Sequence, residues 1–182
     1  RPPLVPGAPP WNNRAMRLHL YPDPVLIKRA PAQTVFDDEL RRQVAEMFTI
    51  MYEEKGVGLA APQAGWSSQV LVLNPSGSRD DESGARTVIN PRITKRWGKE
   101  VAEEGCLSFP EIYVNVERAA GVRLAWQDEH GAEHEEDLNG FPARIVQHEM
   151  DHLEGVLLVH RMSPVDRIRY RRELEDLLET AS

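Results

Sequence analysis

The sequence has a single cysteine, Cys106, so no internal disulfide can form and a reducing compartment is the default. It has no long uninterrupted apolar run, which argues against a membrane-spanning helix. Positive charge is in deficit: 22 Lys and Arg against 29 Asp and Glu leave a net charge of -7. That balance speaks against sequence-specific or broad nucleic-acid binding, because phosphate recognition needs a basic face. No internal repeat and no second domain appear in the 182 residues, a length that suits one domain with a sizeable core. The start lacks the apolar segment of a secretory signal. Residues 1 to 10 instead hold five prolines, so residues 1–15 read as a proline-rich, poorly ordered arm ahead of a single domain over 16–182. A remnant of an organelle transit sequence stays open as the origin of that arm.

What is present is ordinary globular material, 41% hydrophobic and 28% charged. Tyr21-Pro22-Asp23-Pro24 predicts a turn, followed by a short apolar run, Val25 to Ile27. From Asp37 the spacing of Leu40, Val44, Met47, Phe48 and Met51 predicts a helix that stops near Lys55, with Gly56 as its break. Strands are predicted over Gln69–Leu73 and Thr87–Ile89, and a hairpin over Val114–Val116 and Val122–Trp126. Glu133–Leu138 adds an edge. Glu103 to Pro110 reads as a loop because of its glycine and proline. Phe141–Leu153 is a helix with Pro142 in its first turn, Val156–Val159 a short strand, and Ser163 caps a last helix. In that helix Val165, Ile168, Leu174, Leu177 and Leu178 are expected to face inward, with Arg167, Arg169, Arg171 and Arg172 as a basic patch.

The chemistry concentrates in Gln147-His148-Glu149-Met150-Asp151-His152. On a helix, His148 and His152 point within roughly 40° of each other, about one turn apart. Two imidazoles so placed can hold one metal ion, and Glu149 beside them can reach a water on that ion. Two histidines at this spacing also occur as plain surface residues. A third ligand decides between the readings. A lone cysteine is usually a small buried hydrophobe, but Cys106 sits among loop-forming neighbours, and its thiolate would complete a three-ligand site with a fourth position for water.

Three stretches taken together resemble the motifs of peptide deformylase: Gly56-Val57-Gly58-Leu59-Ala60-Ala61-Pro62-Gln63, Glu104-Gly105-Cys106-Leu107-Ser108, and Gln147 to His152. The resemblance runs from about Leu18 to about Leu178, and the wording around the motifs is similar to the bacterial and plant-plastid branch. It implies an α+β fold: mixed, mainly antiparallel sheets packed around a central metal-binding helix, with an N-terminal and a C-terminal helix. It implies hydrolysis of the formyl group from the formyl-methionine of nascent chains by a metal-bound water or hydroxide. Cys106, His148 and His152 would hold one divalent metal, natively Fe(II), with Zn(II), Ni(II) or Co(II) also admitted. Glu149 would be the general base. Gln63 and the Leu107 backbone N–H would stabilise the oxyanion. Substrate backbone would lie along Val57–Gly58, with Val57, Leu107 and Ile145 as walls of the methionine pocket. The ribosome is expected as a transient partner through the C-terminal helix. The compartment would be a bacterial cytoplasm, or an organelle stroma or matrix.

Rival readings are weaker. A metzincin needs a histidine three residues after Gly155, and position 158 is Leu. A thermolysin-like site with Glu173 or Glu175 as third ligand leaves Cys106 idle. A non-catalytic ribosome-docking protein with a structural metal needs a fourth ligand, for which only His160 lies near. His19, His130 and His134 fall in loop-like segments and are expected to be exposed.

Overall fold

The computed structural model describes residues 15–181. The expected proline-rich arm lies, all but Ala15, outside them. Helix α1 (Asp38–Glu53) begins where the Asp37 side chain accepts from Leu40 N, with Asp38 and Glu39 in the first turn. Its predicted stripe is buried: Leu40, Val44, Met47 and Met51 face Leu59, Val70, Val72 and Ile89. The helix ends at Glu53, two residues before the expected stop near Lys55. Lys55, at φ 58, takes the left-handed position, while Gly56 lets the Leu107 side chain pack close, since a Cβ there would lie 2.7 Å from Leu107 Cδ1 and push it aside.

Seven strands follow in chain order: β1 (Gly58–Ala60), β2 (Val70–Leu73), β3 (Arg86–Trp97), β4 (Glu100–Cys106), β5 (Phe109–Arg118), β6 (Gly121–Gln127) and β7 (Glu133–Asn139). They form a five-stranded sheet in the order β1-β2-β3-β6-β7 and a two-stranded sheet β4-β5, with every pairing antiparallel. Four expectations are corrected here. Strand β3 runs on well past Ile89: Pro91 has no N–H to give the ladder, so the strand bulges between Ile89 and Arg92 and then resumes pairing with β6. Residues 103–106 are strand rather than loop, because their partners on β5 supply the hydrogen bonds that Gly105 alone could not predict. The β5 and β6 segments do not form a hairpin; they belong to different sheets, and the chain crosses between them at Ala119–Ala120. The 156–159 strand is replaced by the short helix α3 (Leu158–Arg161).

Helix α2 (Phe141–Leu153) has the predicted bounds and packs Ala143, Ile145, Val146 and Leu153 against Leu71, Leu73, Val122 and Leu124 of the large sheet. The C-terminal segment is two helices, α4 (Pro164–Arg169) and α5 (Arg171–Thr180), separated at Tyr170. Leu174 and Leu177 pack onto a third core around Phe109, Ile112 and Leu157. Val165 and Ile168 are exposed instead of inward-facing, because the break at Tyr170 takes α4 off the α5 face, and Leu178, near the end of α5, is exposed as well.

Helix α2 stops in a Schellman turn: Gly155 N donates to His152 O and Val156 N to Asp151 O. Gly155 adopts φ +73, and a Cβ there would lie 2.5 Å from the backbone oxygen of Ile27. Gly155→Ala is therefore expected to lower unfolding free energy by at least ~1–2 kcal/mol, the left-handed cost alone, as read from the urea midpoint. An unchanged midpoint would contradict the turn's role.

Candidate active site

Because α2 presents His148 and His152 one turn apart, their rings meet edge to face with centroids 5.1 Å apart. Their Nε2 atoms are 3.3 Å from each other, and Cys106 Sγ, delivered by the end of β4, is 3.3 Å from His152 Nε2. Among the described residues, the ligand atoms of these three residues form the one cluster of His, Cys, Asp or Glu suited to an ion, all within 4.8 Å of one another. Neither Glu173 nor Glu175 belongs to it, and Glu175 pairs with Arg171 at 2.8 Å. His160 accepts from Leu157 N and stays outside. His130 and His134 are exposed, as expected, with His134 on β7; His19 is half-buried against Asp23 at 2.7 Å.

The donor set fits a divalent cation. Glu104 Oε2 lies 2.9 Å from His148 Nδ1, so that nitrogen carries a hydrogen and Nε2 is the atom left to meet an ion. Sulfur and imidazole nitrogen together suit borderline-soft ions. Burial by itself would push the His148 pKa down, but Cys106 and Glu104 outweigh it and raise it. Burial and the neighbouring His148 push that of His152 down, and His152 Nδ1 has no hydrogen-bond partner among the described residues. A metal ion competes with protons for such ligands.

Glu104 lies inside the Cys106 motif, where nothing local marks out its role. Its carboxylate accepts from Arg118 Nε at 2.8 Å, Arg118 Nη2 at 3.0 Å, Arg144 Nη1 at 2.9 Å and the His148 ring. Burial alone would raise its pKa, yet the bonds from Arg118 and His148 hold it at about 2. The chain of charges continues outward: Arg118 Nη1 donates to Asp151 Oδ2 at 2.7 Å, and Arg161 Nη2 to Asp151 Oδ1 at 2.8 Å. Arg118 and Arg144 had no distinguishing signal in the sequence, since nothing local marks them off from the other arginines. Only β4, β5 and α2 in register bring them to one carboxylate.

Glu149 is buried, and burial, only partly offset by His148, pushes its carboxyl up to about 7. Its Oε2 has no partner among the described residues. Gly58 lies directly against it: a Cβ on Gly58 would stand 2.8 Å from Glu149 Oε1 and 2.9 Å from Ile145 Cγ2. Gln63 sits in a 3₁₀ turn, Ala61–Ala64, where its Oε1 accepts from Ala60 N at 2.9 Å. Its Nε2 donates to Ser108 Oγ at 3.1 Å and faces Cys106 Sγ at 3.6 Å. Val57, Gly58, Cys106, Leu107, Ile145, His148 and Glu149 border one cleft of about 460 Å³. The structure thus gathers the sequence-predicted residues around a single cleft, with Gln63 and His152 just behind its wall. Such an arrangement can hold a cation, a buried base and preset hydrogen-bond donors around one small polar group.

A family model described as polypeptide deformylase matches residues 15–168. A peptide deformylase of Thermotoga neapolitana is 45% identical over 166 residues, 91% of this chain and 98% of that one. A chloroplastic peptide deformylase 1B of Oryza sativa subsp. japonica is 45% identical over 159 residues, 86% of this chain and 58% of that one. A crystal structure of the Plasmodium falciparum peptide deformylase is similar at a TM-score of 0.87 and 42% identity, covering 90% of this chain and 96% of that chain.

Glu104→Gln should leave Arg118 and Arg144 without their shared counter-charge, and a broken buried pair costs ~3–5 kcal/mol. Metal affinity should fall roughly 10- to 100-fold, the usual effect of removing a carboxylate behind a ligating histidine. Urea unfolding and chelator competition check the two losses separately; wild-type values in both would remove Glu104 from this role.

Proposed function

The chain belongs to the polypeptide deformylase family, and on that premise we propose how its residues divide the work. The protein hydrolyses the formyl group from the N-terminal formyl-methionine of nascent polypeptides and releases formate. The observation that carries this reading is the meeting of Cys106, His148 and His152 beside the buried Glu149. Those three residues would hold one divalent ion, natively Fe(II), and the same donors admit Zn(II), Ni(II) or Co(II). The chemistry the ion supplies when bound is acidification of water and polarisation of a carbonyl.

The remaining steps fall to the chain. Glu149, enclosed and with no partner for Oε2 among the described residues, takes a proton from the attacking water and returns it to the amide nitrogen as the carbon–nitrogen bond breaks. Gln63 is anchored through its own oxygen to Ala60 N, and its amide nitrogen, which rests on Ser108 Oγ at 3.1 Å beside Cys106, is the donor we assign to the reacting oxygen. The Leu107 backbone N–H is the second donor. Losing one such donor costs ~2.7–4 kcal/mol in comparable sites. Val57–Gly58 pairs with the extended substrate backbone, and Gly58 carries no side chain because Glu149 and Ile145 occupy that space. Val57, Leu107 and Ile145 wall the methionine pocket.

Beyond the cleft, α4 and α5 bear Arg167, Arg169, Arg171 and Arg172 beside the exposed Val165 and Ile168. We place a transient ribosome contact there. No helix among the described residues is long and apolar enough to cross a membrane. The single cysteine suits a reducing compartment, a bacterial cytoplasm or an organelle stroma or matrix.

Glu149→Ala should keep about one metal ion per chain while turnover of a formyl-Met peptide falls by roughly 10²–10⁴. Activity near wild type would sink the general-base role. Cys106→Ser should lose metal on dialysis, and unchanged metal content would take the sulfur out of the site. Deleting α4–α5 should abolish ribosome co-sedimentation; binding that survives the deletion would move the contact elsewhere.

A further inference from the structure

Residues 91–99, Pro-Arg-Ile-Thr-Lys-Arg-Trp-Gly-Lys, carry four cations and no acid in a chain whose net charge is -7. They form the end of β3 and the turn into β4, and Arg92, Lys95, Arg96 and Lys99 are all exposed. Strand pairing does not neutralise them. Arg92 stands opposite Ala125, Arg96 opposite Val122, and Lys95 opposite Arg123, a like charge. Like charges directly opposite each other destabilise a sheet. Asp137 takes both of its bonds from Arg123, at 2.7 and 3.0 Å, and acts on Lys95 only at longer range. Among the described residues, no carboxylate forms an ion pair with Arg92, Lys95 or Arg96.

The turn borders a groove of about 510 Å³, which Arg96, Trp97 and Lys99 share with Asp151 of α2 and Arg161 of α3. The carboxylates of this groove are already taken. Glu117 pairs with Lys99 at 3.3 Å, Asp151 with Arg118 at 2.7 Å and Arg161 at 2.8 Å, and Glu154 with Arg29 at 3.0 Å. Arg96 is left as surplus positive charge, and Lys95 and Arg92 extend that surplus along β3. Trp97 is held in place beside them. It stands opposite Gly121, where a Cβ would overlap the indole, and its Nε1 donates to Asn139 Oδ1 at 3.0 Å. The ring is half-buried and still borders the groove.

A fixed indole beside unpaired cations suits a nucleic-acid strand, with phosphates on the cations and a base stacked on the ring. A closed duplex keeps its bases stacked on each other, so an unpaired stretch is the form that fits. Arg161 stands two residues before Ser163, the cap of α4, so the groove leads toward the arginines of α4 and α5. We infer that the β3–β4 turn and its groove bind an unpaired stretch of ribosomal RNA, independently of its sequence, as a second contact beside α4–α5. The choice of ribosomal RNA rests on the ribosome contact proposed above.

The test follows the anisotropy of a fluorescein-labelled RNA strand of about 12 nucleotides, within the span such grooves hold, on titration with the metal-loaded full chain. The dissociation constant should lie at about 10⁻⁴–10⁻⁶ M near physiological salt. Raising salt from about 50 to about 200 mM should weaken binding ~20- to 50-fold, as three or four phosphates on a single strand require. Lys95→Glu/Arg96→Glu should lose at least about tenfold and flatten the salt dependence, while deformylation of a formyl-Met peptide stays unchanged. Trp97→Ala should cost about fivefold or more, and Trp97→Phe should recover most of it. The charge-reversed double variant should also co-sediment less with ribosomes. No binding at low salt, an unchanged affinity in the double variant, or displacement by polyaspartate as effective as by unlabelled RNA would overturn the RNA contact. RNA affinity lost in the double variant with co-sedimentation unchanged would overturn the ribosomal assignment. Wild-type protein that binds the RNA but no ribosomes would refute the ribosome contact proposed above, and that assignment with it. Absence of formate release would refute the deformylase reading and leave the RNA contact standing.

Discussion

One carboxylate joins the elements of this molecule that must stay in register for the site to exist. Glu104 stands on β4 next to the strand's end at Cys106, accepts two bonds from Arg118 of β5, one from Arg144 of α2, and bonds the ring of His148 on the same helix. A buried charge of this kind is weak evidence for stability, since removing ions from water costs about as much as their attraction returns. Its value here is geometric. With four bonds it cannot shift without disturbing β4, β5 and α2 together, and it fixes which nitrogen of His148 faces the thiol. Cys106 and the two histidines, drawn from distant stretches of the sequence, are thereby set against each other by charge pairing as well as by apolar packing.

The second constraint is crowding around Glu149. Helix α2 is pressed against β1 so closely that Gly58 has no room for a side chain, and the same closeness buries the carboxylate and lifts its pKa to about 7. Packing and chemistry are the same fact in this place. A larger residue at position 58 would displace the base and block the edge along which an extended peptide can pair. Two residues earlier, Gly56 acts in a related way by leaving space for Leu107, whose backbone N–H is assigned to the oxyanion.

How much of this could be read beforehand follows from the range of the interactions. Helices α1 and α2 were legible because their caps and apolar spacing are local, and α2 has the predicted bounds. The three motifs carried the metal ligands, Glu149 and Gln63 for the same reason: each is a short contiguous pattern. What failed was decided by partners far along the chain. Gly105 suggested a loop, but β5 pairs with it as strand. The strand predicted over Thr87–Ile89 gave no sign of its continuation, which a bulge allows as β3 goes on to pair with β6. Neighbouring β5 and β6 looked like a hairpin and went to separate sheets. Val165 and Ile168 looked like core until the helix broke at Tyr170. Arg118 and Arg144, which complete the Glu104 network, had no local signature at all.

The central claim is that folding brings one sulfur and two imidazole nitrogens to a single ion with a position left for solvent. X-ray absorption at the metal edge of the zinc-loaded protein measures that shell directly. The account predicts one sulfur at about 2.3 Å and two nitrogens at about 2.0–2.1 Å, completed by a light oxygen scatterer. A shell of nitrogen and oxygen alone, or one with more than one sulfur, would contradict it.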